Sequence, residues 1–227
     1  MSVQGQMLNN SESFNKNRDR VWETLSNLPI EKSDWRFDDL RKNYLDNWQK
    51  EIYRTKIYFV SEIKDYNTPA IYYLPESEGD TARIELIASK FTVVDDQNRC
   101  VEHELTHAAF KGNMNVPGWL AYLGNYTAKQ AGTESTLPFE RIVIAATVRR
   151  DILDYYKLPL NAAISFEQLQ NYVDCTIENM DFGLKWLVET TKADKLLPLL
   201  NFENGYFINE KKFSPPIVVK VPNSIIY

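Results

Sequence analysis

The chain contains only two histidines, and they stand four residues apart in the segment "HELTH", His103 to His107. In an α-helix, residues at this spacing lie one turn apart on the same face. Two histidines placed at random would fall four apart only about 1% of the time, and a glutamate directly after the first makes the coincidence roughly tenfold rarer. The spacing therefore predicts a helix that presents two imidazoles side by side.

Two imidazoles on one helical face can bind the same zinc ion through nitrogens at about 2.0–2.1 Å. Glu104, directly after the first histidine, would then lie beside the metal, where it can take a proton from an activated water. The opposite side of the predicted helix carries the apolar residues Val101, Leu105, Ala108 and Ala109. We therefore predict a helix with one face in the core and the other at a metal site, with Glu104 as the catalytic general base.

Composition and charge exclude several other functions. The 227 residues are 44% hydrophobic and 25% charged, as in ordinary globular proteins. A net charge of −5 and a pI near 5.2 provide no basic surface for a phosphate backbone. The N-terminus lacks the pattern of a signal peptide, and the longest apolar stretch, residues 142–148, is far shorter than a membrane span. We expect a cytoplasmic protein, or one secreted without a Sec signal peptide, with no membrane span and no nucleic-acid partner; the oligomeric state stays open.

Hydrophobic periodicity predicts a helix-rich α+β fold with a small mixed sheet. Residues 1–12 are predicted to be a flexible N-terminus, and residues 13–227 a single domain. The predicted parts of that domain are a helical part at 13–54, a small sheet at 55–90, a helical part with the histidine motif at 96–190, and an extended segment at 205–227. The predicted strands are 56–61, 70–75 and 82–88, and the later helices are 96–111, 116–130, 137–157 and 165–188.

The segment "HELTH" resembles the HExxH signature of zinc metallopeptidases, the zincins. The metzincin branch carries the longer pattern HExxHxxGxxH, whereas this chain has Phe110 in place of the glycine and no third histidine. The chain is therefore similar to the gluzincins, whose third ligand is a glutamate on a later helix. The resemblance implies a zincin-like domain in which His103 and His107 hold one Zn²⁺ and which cleaves protein or peptide substrates. Such an endopeptidase would suit a bacterial effector or toxin protease.

The resemblance also places an edge strand just before the motif helix. In zincins this strand pairs with an extended substrate, and here the segment at that place is "ARIELIA", residues 82–88.

The third zinc ligand is less firmly indicated than the histidines. Glu140 stands 32 residues after His107 near the start of a predicted helix, where it heads an apolar stripe and needs a partner for its charge. We predict Glu140 as the third ligand, with Glu134 and Tyr122 as alternatives. Tyr122 stands in "VPGWLAYLGNY", a segment similar to one that carries the ligand glutamate in several gluzincin families.

Cys100 also stands on the histidine face, but it precedes His107 by seven residues, roughly 10 Å of helix, which is too far for both to reach one ion. We interpret this thiol as a packing residue. The group that would stabilise the oxyanion is left open among Tyr122, Tyr126, Tyr155, Tyr156 and Arg149.

Two other functions remain compatible with the sequence. The first is a catalytically inactive binding protein with a zincin-like fold, in which Tyr122 marks the loss of the ligand glutamate. The second is a metal-dependent hydrolase that acts on a non-peptide amide.

Overall fold

The computed structural model describes residues 6–7, 12–29, 35–64, 67–77, 80–111, 137–178, 181–191 and 193–202. The strands in these ranges are β1 (Gln6–Met7), β2 (Lys56–Phe59), β3 (Ala70–Tyr73) and β4 (Arg83–Leu86). The helices are α1 (Glu12–Ser26), α2 (Trp35–Arg54), α3 (Val94–Lys111), α4 (Leu137–Tyr155), α5 (Phe166–Thr176), α6 (Phe182–Thr190) and α7 (Ala193–Leu200). A helix-rich α+β fold with a small mixed sheet is thereby confirmed. The helix predicted at 116–130 and the extended segment predicted at 205–227 lie outside the described residues.

The described residues form two compact units. Those up to 23 and from 42 to 111 belong to the first unit, and those from 24 to 41 and from 137 onwards belong to the second. The sheet and α3 are in the first unit, and α4 to α7 are in the second. A single domain over residues 13–227 stays a prediction.

The sheet of the first unit has the order β1-β2-β4-β3. β4 runs parallel to β2, with Ile57 opposite Ile84, and β3 runs antiparallel to β4. The three predicted strands are confirmed, but the prediction that residues 82–88 form an edge strand is wrong, because β4 is paired on both sides. In this central position Ile84 and Leu86 are fully buried, and the Glu85 carboxylate between them accepts from Arg83 Nε at 2.8 Å.

The motif helix α3 follows β4 through a single helical turn, Ala88–Lys90. Asp95 and Asp96 in its first turn stabilise the helix, because negative charges there interact favourably with the positive end of the helix dipole. The predicted core face is confirmed, since its four apolar residues, Val101, Leu105, Ala108 and Ala109, are all fully buried.

In the second unit, α4 packs against both α6 and α7. α4 ends where Lys157 adopts a left-handed conformation with φ of 53°. The amide of Lys157 then donates to Asp154 O, and that of Leu158 donates to Leu153 O at 2.8 Å, which is the Schellman pattern that closes many helices.

The single helix predicted at 165–188 is wrong, because two helices, α5 and α6, occupy this stretch. Each has its own N-terminal cap. Ser165 and Gln168 form a reciprocal capping box at the start of α5, and the Asp181 side chain accepts from the amide of Gly183 at the start of α6. The apolar periodicity runs through both helices, so the pattern did not indicate that a second helix begins at Phe182.

No helix among the described residues is long and apolar enough to cross a membrane.

Candidate metal centre

The two histidines lie on α3 as the spacing predicted. The Nε2 atoms of His103 and His107 face each other at 3.1 Å, and the two rings meet edge to face with centroids 4.8 Å apart. Two nitrogens bound at about 2.05 Å to one tetrahedral zinc ion lie about 3.3 Å apart. The separation in the structure is therefore close to what a shared metal ion requires.

The histidine pair is largely shielded from water. His107 is 5% exposed, and His103 is partly buried. Phe110, on the next turn of α3, is fully buried and packs edge to face on Trp48, with ring centroids 5.2 Å apart. Apolar surroundings strengthen charge interactions between a metal and its ligands, because little water competes with them.

Glu104 extends from the same turn as His103, and its carboxylate is buried, with 8% of the residue exposed. A buried carboxylate next to a metal site is suited to proton transfer, since bulk water does not compete for the proton. The role of Glu104 as the general base stays a prediction.

Glu140 lies in the first turn of α4 and is partly buried. It belongs to the second unit, whereas the two histidines belong to the first. An imidazole pair with one carboxylate is the ligand set of many catalytic zinc sites. The assignment of Glu140 as the third ligand stays a prediction.

The two alternative third ligands, Glu134 and Tyr122, lie outside the described residues, as does Tyr126. Cys100 is a free thiol of α3 and is partly buried. Burial, together with the nearby Glu104 carboxylate, raises the pKa of the Cys100 thiol to about 12.

Three of the residues left open as oxyanion donors lie too far along α4 from Glu140. Arg149 is nine residues beyond it, about 13 Å along the helix, and Tyr155 and Tyr156 are more than 20 Å beyond it. Arg149 donates to backbone carbonyls of its own unit, and the Tyr156 hydroxyl donates to Gln168 O at 3.0 Å. Arg149 and Tyr156 are thus bonded to backbone carbonyls at the far end of α4.

Polar contacts from α1 hold the motif helix, and no local sequence pattern predicts them. The Oγ of Ser13 and the Nδ2 of Asn17 both donate to Asn98 Oδ1 at 3.2 Å. One turn further along α3, Arg20 Nε lies 3.1 Å from the carboxylate of Glu102, and both side chains are partly buried. Residues 98 and 102 are one helical turn apart, so α1 fixes α3 just before the histidines.

No family model, curated protein or solved structure matches the chain.

Proposed function

We propose that this protein is a zinc-dependent endopeptidase in which His103, His107 and Glu140 hold one Zn²⁺ and Glu104 is the general base. The observation that carries the proposal is the pair of facing imidazole nitrogens on α3, 3.1 Å apart. Bound zinc would supply a Lewis acid that makes water nucleophilic near neutral pH.

The residues of the chain have separate tasks in this proposal. The histidines are neutral ligands on one helical face, and Glu140 contributes the single negative charge. Glu104 accepts the proton of the attacking water and returns it to the nitrogen of the departing amine. Its position one residue after His103 keeps the carboxylate beside the metal and leaves it available as a base.

The position of β3 at one end of the sheet favours a peptide as the substrate. β3 stands at the end of the strand order, and it adjoins α3 in the first unit. An extended peptide that pairs with the outer side of β3 would gain main-chain hydrogen bonds next to the motif helix. In the proposal β3 therefore takes the role that the sequence assigned to residues 82–88.

Metal content and cleavage test the proposal together. Protein purified without chelators should contain close to one equivalent of zinc, whereas His107→Asn should contain almost none. Less than a tenth of an equivalent in the wild type would refute the metal assignment. Ser13→Ala is a suitable control, because it removes a contact on the other face of α3.

Cleavage should depend on Glu104 even when zinc is retained. In a peptide-library assay, Glu104→Gln should keep its zinc and lose at least about 100-fold in rate, as expected when a general base is removed. Cleavage that persists in this variant cannot come from this site. Zinc binding without cleavage of any peptide would favour a binding protein or a hydrolase of another amide.

A further inference from the structure

α6 runs along the first half of α4, and the two helices are in contact near both ends of α6. Near the start of α6, a Cβ added to Gly183 would lie 3.1 Å from Ile144 Cγ2 and 3.6 Å from Val148 Cγ2. Only a residue without a side chain allows this approach with no displacement. Near the end of α6, Nη2 of Arg141 donates to the carbonyl oxygen of Thr190 at 2.9 Å. The two helices are therefore fixed to each other over two turns of α4.

Arg141 is held firmly at the second contact. It is only 9% exposed, and its guanidinium carbon lies 5.9 Å from the ring centroid of the buried Trp186. The carbonyls in the last turn of a helix lack partners within the helix and carry the negative end of its dipole, so a cation there is favourable. Trp186 and the Thr190 carbonyl together define one position for the guanidinium.

The neighbouring residue in the chain is Glu140. It is the fourth residue of α4, in the turn whose backbone N–H groups have no partners within the helix and where helices fray most readily. A ligand on such a turn needs support from outside its own helix. Arg141 provides that support, because it bonds the same turn to α6.

We propose that Arg141 is a positioning residue that acts through Glu140: its bond to the Thr190 carbonyl holds the first turn of α4 so that Glu140 can serve as a metal ligand. This inference rests on the proposed function, in which Glu140 is the third zinc ligand. In this role Arg141 acts through Glu140 and is not itself a ligand.

A double-mutant cycle in zinc affinity separates this role from a general contribution to folding. Zinc chloride is titrated against a chromophoric chelator in the presence of the wild type, Arg141→Met, Glu140→Gln and the double variant. Arg141→Met should weaken zinc binding by about 10–100-fold, as for other residues that orient a ligand. In the Glu140→Gln background the same substitution should change the affinity less than about twofold, since the ligand on which it acts is already lost.

Arg150→Met is the matched control. Arg150 lies on the same helix, but its guanidinium pairs with Asp154 one turn further along α4. This variant should bind zinc like the wild type. Arg141→Lys keeps a donor for the Thr190 carbonyl and should restore part of the lost affinity.

Gly183→Ala provides a second test that leaves Arg141 intact, because the added methyl group moves α6 away from Ile144. It should also weaken zinc binding, and again only when Glu140 is present. Wild-type affinity in the folded Arg141→Met and Gly183→Ala proteins would overturn the inference, as would equal losses with and without Glu140. No zinc binding by the wild type would instead overturn the proposed function, and the inference with it.

Discussion

Replacement of Arg149 by methionine should destabilise the second unit substantially. Arg149 is 1% exposed and donates to the carbonyl oxygens of Leu160, Ala162 and Leu200. It also donates to Asn201 Oδ1. These bonds tie α4 to the loop before α5 and to the end of α7, so one side chain connects three segments.

The magnitude follows from two opposing effects. Loss of the guanidinium leaves three carbonyls without this donor, at about 2 kcal/mol each. Against this, burial lowers the pKa of Arg149 from 12.5 to about 10. At 1.36 kcal/mol per unit, a shift of that size means that burying the charge costs about 3 kcal/mol, which the methionine avoids. The cost of the unpaired carbonyls is larger than this gain, so we expect the free energy of unfolding to fall by about 3 kcal/mol.

Urea unfolding followed by far-UV circular dichroism measures this loss. The midpoint should fall while the slope stays constant, and the melting temperature should drop by roughly 6–12 °C. Arg150→Met is the control, because its partly exposed pair with Asp154 contributes at most about 1 kcal/mol. If the two variants lost the same small amount of stability, the assignment of Arg149 as the central donor of this unit would be refuted.

Three further predictions concern single side chains. In a Cys175→Ser protein, Cys100 should react with a disulfide reagent at pH 8 at least about 100-fold more slowly than a free thiol, because a pKa of about 12 leaves almost no thiolate; a rate like that of free cysteine would contradict this. Ser165→Ala should cost about 1 kcal/mol in urea unfolding, since it removes the side-chain cap of α5, and an unchanged midpoint would argue against the capping box. Gly183→Ala should destabilise by about 1 kcal/mol, because crowding against Ile144 exceeds the gain in helix propensity, whereas a rise in stability would mean that the two helices are not in close contact.

Local pattern was sufficient to predict the motif helix. The spacing of His103 and His107, with apolar residues on the opposite side, specifies both a helix and its orientation, and the burial of Leu105 and its neighbours agrees. The strands at β2, β3 and β4 were likewise found from their runs of apolar and β-branched residues.

Features that depend on distant partners could not be predicted in this way. The order of strands is one, since nothing within residues 82–88 says that β4 pairs on both sides. The buried arginines are another. Arg141 and Arg149 interrupt an apolar helix, and their acceptors, such as the Thr190 and Leu200 carbonyls, lie about fifty residues further along the chain. Glu140 could be proposed as a ligand from its place at the head of an apolar stripe, but no local pattern says which residues it meets.

Anomalous diffraction at the zinc absorption edge, from crystals grown with one equivalent of zinc chloride, tests the central claim most directly. The account predicts one strong peak, about 2.0–2.2 Å from Nε2 of His103, Nε2 of His107 and a carboxylate oxygen of Glu140. A peak coordinated by other residues, or no peak at the histidine pair in zinc-soaked crystals, would contradict it.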